Sequence, residues 1–132
     1  MSDIIDELEN LYVTIDKVVY MPHLEAPEDR PYPFVYFITI RNNSDRAVTI
    51  KGRKWVVSES NGQRIVVEGD GVIGKFPRIE PGEHFSYNSY HVIATDSVAE
   101  GAYLGVSDDG KPILTRIPKF EMRVPRVDEN ES

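Results

Sequence analysis

Hydrophobic and polar residues alternate along much of the chain, with the period of two that is typical of half-buried β-strands. In the segment from Leu11 to Tyr20 apolar side chains recur at every second position, and segment 83–93 places Phe85, Tyr87 and Ser89 on one face. Segment 34–41, "FVYFITIR", is instead largely apolar on both faces. This pattern predicts a central strand that is covered on both sides.

Turn signals separate these segments. Asn61-Gly62 lies between "WVVSES" and "QRIVVE", which predicts a β-hairpin with a two-residue type I′ turn, in which both turn positions have positive φ. A second hairpin is predicted around Asp109-Gly110, and Pro112 places its return strand at an edge or at a strand start. The proline-rich segment from Met21 to Pro33 fits neither helix nor sheet, so we expect a long loop that is a candidate binding element.

Short strands separated by turns, with no helical period in the body, predict an all-β protein with an antiparallel β-sandwich. We divide the chain into an acidic N-terminal extension (1–10), the sandwich domain (11–125) and an acidic C-terminal tail (126–132). The extension carries the one helical signal, a short amphipathic turn in which Ile4, Ile5 and Leu8 share a face.

Charge and composition narrow the class of protein. The chain has 132 residues and no cysteine, which excludes disulfides, thiolate metal sites and cysteine nucleophiles. Its net charge of −7 comes from acids clustered near the two ends, so the body is close to neutral and has no basic stripe for a nucleic acid. Neither a signal peptide nor a membrane-spanning apolar run is present, so we expect a cytoplasmic protein without a membrane partner.

Gly69, Gly71 and Gly74 have the G-x-G-x-x-G spacing of pyrophosphate-binding loops. Such a loop needs a helix that begins at the glycines and directs its N–H groups at the phosphate. Pro77 and Pro81 exclude a regular helix there, and Pro81-Gly82 is typical of a turn. We therefore expect the glycines to allow unusual backbone angles or close chain approach, with a phosphate site as the alternative.

Histidine and tryptophan are the remaining candidates. Histidine can ligate a transition metal, and the chain has three, His23, His84 and His91. His84 and His91 are separated by an odd number of residues, so their side chains point to opposite faces of one strand. We therefore expect no metal site, and histidines that lie at the surface or at strand ends. Trp55 shares its strand face with Arg53 and Val57, which predicts a core ring with its N–H bonded to a backbone acceptor. We expect Arg53 to stack beside Trp55 or to pair with an acid.

Several of these features together resemble the ApaG family. The resemblance lies in "NNSDRAVTIKGRKW", "EGDGVIGKFPRIEPGEHFSYNS", "EGAYLG" and "RIPKF", which cover most of the body. It departs at Lys54, where the family often has histidine, and at Tyr90, where glycine is common. The resemblance implies structural roles for a set of motif residues: Arg53, Trp55, Pro77, Pro81, Gly82, Phe85, Tyr87, Ser89, Tyr103, Pro118 and Phe120.

The resemblance also implies an immunoglobulin-like or fibronectin type III-like sandwich without an established enzymatic activity. Family members are linked to cobalt resistance (the name CorD) and magnesium efflux, and related domains suggest a protein-interaction module. We therefore expect a non-enzymatic protein-binding domain without a cofactor, which uses an unidentified protein partner. The alternative is a small-ligand binder for a nucleotide polyphosphate or a divalent metal, and a homodimer stays open.

Overall fold

The computed structural model describes residues 5–126. This part of the chain contains no helix and forms eight β-strands, which are β1 (Leu11–Tyr20), β2 (Tyr32–Asn42), β3 (Val48–Glu59), β4 (Arg64–Asp70), β5 (Arg78–Ile79), β6 (His84–Ile93), β7 (Ser97–Ser107) and β8 (Pro112–Met122). They pair antiparallel in two sheets. The predicted antiparallel β-sandwich is confirmed.

The smaller sheet has three strands in the order β1-β2-β6. Its central strand β2 is mostly buried on both faces, as the doubly apolar pattern of segment 34–41 predicts. Ile38 and Ile40 are fully buried in the core. In β6 the odd-numbered residues face the core, so Tyr87 and His91 point inward while their neighbours face solvent.

The larger sheet has the order β4-β3-β7-β8, and β5 pairs with β3. Its core side presents Trp55, Val57 and Tyr103, all nearly completely buried. Strand β3 continues through Gly52 with a bulge between Ile50 and Gly52. Pro112 begins β8, an edge strand, which fits its missing N–H.

The two lateral sides of the sandwich differ. On the closed side β1 packs against β8, and the Thr115 hydroxyl donates a hydrogen bond to the Leu11 carbonyl. The segment before β1 adds to this closure, because Asp6 pairs with Ile113 and its carbonyl accepts the Leu114 N–H at 2.9 Å. On the open side the edge strands β4 and β6 make no comparable approach.

The Asn61-Gly62 hairpin is confirmed, but its predicted turn type is wrong. Gly62 has φ 91°, whereas Asn61 does not have positive φ, and the Glu59 N–H donates to the Gln63 carbonyl across a three-residue loop. The Asn61 side chain accepts the Gln63 N–H at 2.9 Å. This is a type I turn closed by a left-handed glycine, which also matches the strand twist, and Gly110 (φ 79°) closes the β7–β8 hairpin in the same way.

The predicted helical turn in the N-terminal extension is wrong for the part that is described. Residues 5–10 are extended or in a turn, because Asp6 bonds to β8 and the Leu11 N–H donates to the Leu8 carbonyl. Ile4, the first residue of the predicted apolar face, lies outside the described residues. In the described range, no helix offers the length and hydropathy that a membrane crossing requires.

Candidate functional site

A cleft opens between the two sheets on the open side of the sandwich. It encloses a cavity of about 220 Å³. We call it the Trp55 cleft, and its lining residues are Arg30, Tyr36, Arg53, Trp55, Val57, Ile65, Val67, Ser89, Tyr90, His91 and Val92. The lining residues belong to the edge strands β4 and β6, to the inner strands β2 and β3, and to the loop between β1 and β2 (residues 21–31). The cleft is therefore assembled from elements that are far apart in the sequence.

Aromatic rings form the inner wall of the cleft. Trp55 lies with its ring centroid 4.8 Å from that of Tyr36 and 4.7 Å from that of His91. Phe120 packs edge-on against Trp55 at 5.8 Å and stacks with His91 at 6.4 Å. Contacts of this kind favour a single arrangement of the rings, so the wall is preorganised.

Three nitrogen atoms in this wall are buried and have no hydrogen-bond partner among the described residues. They are Nε of Arg30, Nε1 of Trp55 and Nε2 of His91. The prediction that Trp55 lies in the core is confirmed, with 1% of the residue exposed, but the predicted backbone acceptor for its N–H is missing. Because a buried polar group without a partner costs free energy, such a cluster is uncommon in a purely structural core.

The predicted loop from Met21 to Pro33 is wrong at its end, because Tyr32 and Pro33 pair in β2 and the loop stops at residue 31. This 21–31 loop covers one end of the cleft, where its Arg30 and Glu25 contact the two sheets. The Arg30 guanidinium lies 3.3 Å from the buried Glu59 carboxylate and donates a 3.3 Å hydrogen bond to the Gln63 side chain. The Tyr90 hydroxyl donates to the Glu25 carbonyl at 3.0 Å. The loop is therefore fixed to both sheets.

Arg53 connects the cleft to the glycine segment. Its Nη1 donates to the carbonyl oxygens of Asp70 and Gly71, at 2.9 and 3.2 Å. Of the two contacts expected for Arg53, neither an ion pair with an acid nor a cation–π contact with Trp55 is present within residues 5–126. Gly69 lies under the guanidinium, since a Cβ there would be 2.8 Å from three of its atoms. A side chain at this position would therefore displace the Arg53 guanidinium from its present place.

The glycine segment itself forms a tight turn. Val72 and Lys75 exchange backbone hydrogen bonds of 2.7 and 2.9 Å, with Ile73 (φ 43°) and Gly74 (φ 76°) between them. Gly71 has φ 59°, and a Cβ there would lie 2.0 Å from the Lys75 carbonyl oxygen. The Gly71 N–H donates to the Lys51 carbonyl. The N–H groups of Gly71, Val72 and Lys75 are therefore engaged within the fold, and no helix follows them to direct free donors at a phosphate.

Burial sets the protonation states in the cleft. It lowers the pKa of His91 to about 4, so the imidazole is neutral near pH 7. Burial also raises the pKa of Tyr36, and the hydrogen bond of Ser89 and the charge of Arg53 act in the opposite direction. The hydroxyls of Tyr87 and Tyr103 bond to each other beside this wall, and burial raises the pKa of both. At neutral pH the His91 imidazole and the Tyr36 phenol are therefore uncharged.

Most of the motif residues meet around this cleft. Arg53, Trp55 and Ser89 line it, and Tyr87 and Phe120 pack against the rings of its wall. Phe85 and Tyr103 lie one ring further away and pack on Tyr87. Pro77, Pro81 and Gly82 lie instead in the connections around β5, and Gly82 has φ 86° in the predicted turn. Pro118 is exposed in β8, where the register with β7 shifts, a position that tolerates a missing N–H.

Sequence reasoning missed Arg30, Tyr36 and His91 as parts of this site. The expectation that the histidines lie at the surface or at strand ends holds for His23 and His84, which are exposed, and is wrong for His91. The alternation in β6 was a usable signal, because His91 shares the inward parity of Tyr87. No group of three or more potential metal-ligating side chains occurs within residues 5–126.

Comparisons with known proteins agree with the motif pattern. A family model described as the ApaG domain matches residues 22–106. The chain is 35% identical over 111 residues to Protein ApaG of Methylococcus capsulatus, which covers 83% of this chain and 88% of that protein. It is 39% identical over 108 residues to Protein ApaG of an Enterobacter species, covering 81% and 86%.

Two solved structures share the fold. The X-ray structure of a Northeast Structural Genomics Consortium target superposes with a TM-score of 0.80 at 31% identity, over 93% of each chain. The crystal structure of a Bordetella pertussis protein described as ApaA superposes with a TM-score of 0.76 at 26% identity, over 94% of this chain and all of that one. The motif, the relatives and the fold agree, and the chain belongs to the ApaG family.

Proposed function

We propose that this chain is a non-enzymatic protein-interaction module, which binds an extended segment of a partner protein along the edge strand β4. The proposal rests on one observation, the backbone groups along the outer side of β4 that are unpaired within residues 5–126. Strand β4 pairs only with β3 within the described range, so the backbone groups on its other side are available to an added strand. Val66 and Val67 are 50% and 38% exposed on this strand.

The other edges of the sandwich are less available. Strand β8 is covered in part by β1 and by the pairing of Asp6 with Ile113. Strand β6 lies beside the 21–31 loop at its Tyr90 end, where Tyr90 bonds to Glu25. A flat apolar edge without such protection invites pairing with another chain, which natural proteins usually prevent.

The side chains of β4 indicate what kind of partner segment would pair with it. Val66 and Val67 face opposite sides of the sheet, so a strand laid beside β4 finds an apolar contact on both of its faces. Arg64 and Glu68 give the edge charges of both signs. We therefore expect a segment with β-branched or aromatic residues and little net charge, held chiefly by backbone hydrogen bonds.

The test compares two lysine substitutions in the same sheet. Val66→Lys places a charge on the edge strand, while Leu104→Lys places one on the central strand β7, where the parent leucine is 41% exposed. Each purified variant and the parent are used to capture a partner from native extract, and the captured protein is then titrated against all three by calorimetry.

Loss of binding in Val66→Lys with retention in Leu104→Lys supports strand addition at β4. Equal binding by all three proteins contradicts it, as does a parent that captures nothing reproducibly. Equal loss in both variants assigns the interaction to the outer face of the sheet instead of its edge. Circular dichroism of each variant establishes that the fold is retained.

A further inference from the structure

We propose that the Trp55 cleft is a binding site for a small organic carboxylate with a compact, branched apolar body. This site shares the inward-facing side chains of Ile65 and Val67 with β4 but does not use the free backbone groups of that edge, and it is distinct from the turn of the glycine segment. The inference rests on the charges of the cleft, its unpartnered nitrogens and its apolar surface, and does not depend on the proposed protein interaction.

The charged side chains around the cleft favour a ligand with a single negative charge. None of the residues that line the cavity is acidic, and two of them are arginines. Arg30 lies 3.3 Å from the Glu59 carboxylate, which offsets its charge. Arg53 has no carboxylate partner within residues 5–126, where its Nη1 bonds only to carbonyl oxygens. One uncompensated guanidinium suits a carboxylate better than a doubly charged phosphate.

The unpartnered atoms supply hydrogen-bond donors. The indole N–H of Trp55 and the Nε–H of Arg30 can only donate, and both lack an acceptor among the described residues. Nε2 of His91 is also unpartnered, and a neutral imidazole carries its proton on either nitrogen. A carboxylate oxygen is the acceptor that would satisfy such a set of nitrogen atoms.

The rest of the wall is apolar. Val57, Ile65 and Val67 line the cavity together with the ring of Tyr36, and Val92 borders it. A space of about 220 Å³ admits a small branched chain but not a nucleotide. The ligand that fits both parts of the wall carries one carboxylate and a compact aliphatic body.

Arg30 regulates access to the cleft. The unpartnered nitrogens are shielded from solvent, so a ligand reaches them only when the cover moves. Both side-chain contacts of Arg30, to Glu59 and to Gln63, measure 3.3 Å, which is long for hydrogen bonds between charged or polar groups. Because both contacts are long, we expect the Arg30 side chain to be the part of the cover that moves aside when a ligand enters.

The experiment uses the fluorescence of Trp55, the only tryptophan of the chain, to report on the site directly. The full chain is titrated with 3-methylbutanoate and with 3-methylbutanamide, a neutral probe of nearly the same shape. We expect a saturable change in emission with the acid and at least about tenfold weaker binding of the amide. Acetate, which lacks the branched body, should also bind more weakly.

Two further kinds of probe distinguish a small organic acid from the other anions that the cleft could bind. Inorganic phosphate tests a phosphate site, and the peptides N-acetyl-Gly-Leu with a free or an amidated C-terminus test capture of a protein C-terminus. Binding of the free acid alone assigns a small-molecule site. Tighter binding of the free peptide than of its amide extends the same carboxylate site to chain ends, whereas tighter binding of phosphate than of 3-methylbutanoate overturns the proposal.

The matched variants are Arg53→Gln and Lys54→Gln. Lys54 is adjacent but outward-facing and pairs with Glu68, so its loss removes the same charge outside the cleft. We expect Arg53→Gln to weaken the binding of 3-methylbutanoate at least about tenfold and Lys54→Gln to leave it within about twofold. If Arg53→Gln does not fold, the acid-to-amide ratio of the parent decides the matter. Equal affinity for acid and amide, or no saturable change with either, refutes the carboxylate site.

Discussion

The closed and open sides of the sandwich bury polar groups in different ways. On the closed side, the hydroxyl of Thr115 has the Leu11 carbonyl as its acceptor, and the Leu114 N–H has that of Asp6. On the open side, Arg30, Trp55 and His91 each bury a nitrogen without a partner among the described residues. The difference indicates that one side is built for stability and that the other retains unmet hydrogen-bonding capacity for a ligand.

The same comparison explains the glycine motif. Its spacing resembles that of a phosphate-binding loop, but the N–H groups of Gly71, Val72 and Lys75 are already paired, as on the closed side. The proposed ligand site is the Trp55 cleft, on the other side of the Arg53 side chain from the glycine segment. No sequence motif for a ligand marks the residues that line it. Unused polar atoms are therefore a better indicator of a site here than the spacing of glycines.

The largest expected effect comes from Trp55→Ala, which removes the centre of the open-side wall. We expect it to lower the free energy of unfolding by about 3–5 kcal/mol, because a large buried ring leaves a cavity. Trp55→Phe should cost distinctly less than the lost area suggests, since it also removes the unpartnered N–H. Urea unfolding measures both, and a Trp55→Ala protein as stable as the parent would mean that the ring is not part of the core.

The second effect is a loss of stability in mild acid. Burial lowers the pKa of His91 from 6.5 to about 4, so between these values the unfolded state binds a proton that the folded state does not. Stability is therefore complete above about pH 6.5 and falls as the pH decreases toward 4, by on the order of 3 kcal/mol at most.

His91→Gln should remove most of this pH dependence, and His84→Gln, at an exposed position of the same strand, should keep it. Urea unfolding at a series of pH values gives the three curves. A parent whose stability is constant over this window would contradict the buried, neutral state of His91.

The smallest effects compare two glycines of the same turn. Both Gly71 and Gly74 have positive φ, but a Cβ meets the Lys75 carbonyl only at Gly71, while Gly74 faces open space. Gly74→Ala should cost about 1 kcal/mol from backbone strain alone, and Gly71→Ala should cost more. Melting curves decide the order, and equal costs would show that the close approach at Gly71 does not constrain the turn.

Local patterns in the sequence predict the fold well and the site poorly. Alternation and turn residues depend on neighbours along the chain, so the strands and both hairpins are predictable, whereas the φ of Asn61 depends on loop length and was predicted wrongly. The cleft depends on which strands become edges. Arg30 reaches it from a loop, and nothing in a proline-rich segment indicates that one of its arginines will lie against Glu59.

The central claim is that the open side of the sandwich, and not the glycine segment, binds ligands. The most direct test is a ¹H–¹⁵N NMR titration of the full chain, first with 3-methylbutanoate and then with ATP. We expect the carboxylate to shift the Trp55 indole and His91 ring signals in a saturable manner, while ATP leaves the amides of Gly71 and Gly74 in place. Saturable shifts of those amides with ATP, with the Trp55 and His91 signals unmoved by the carboxylate, would contradict the account.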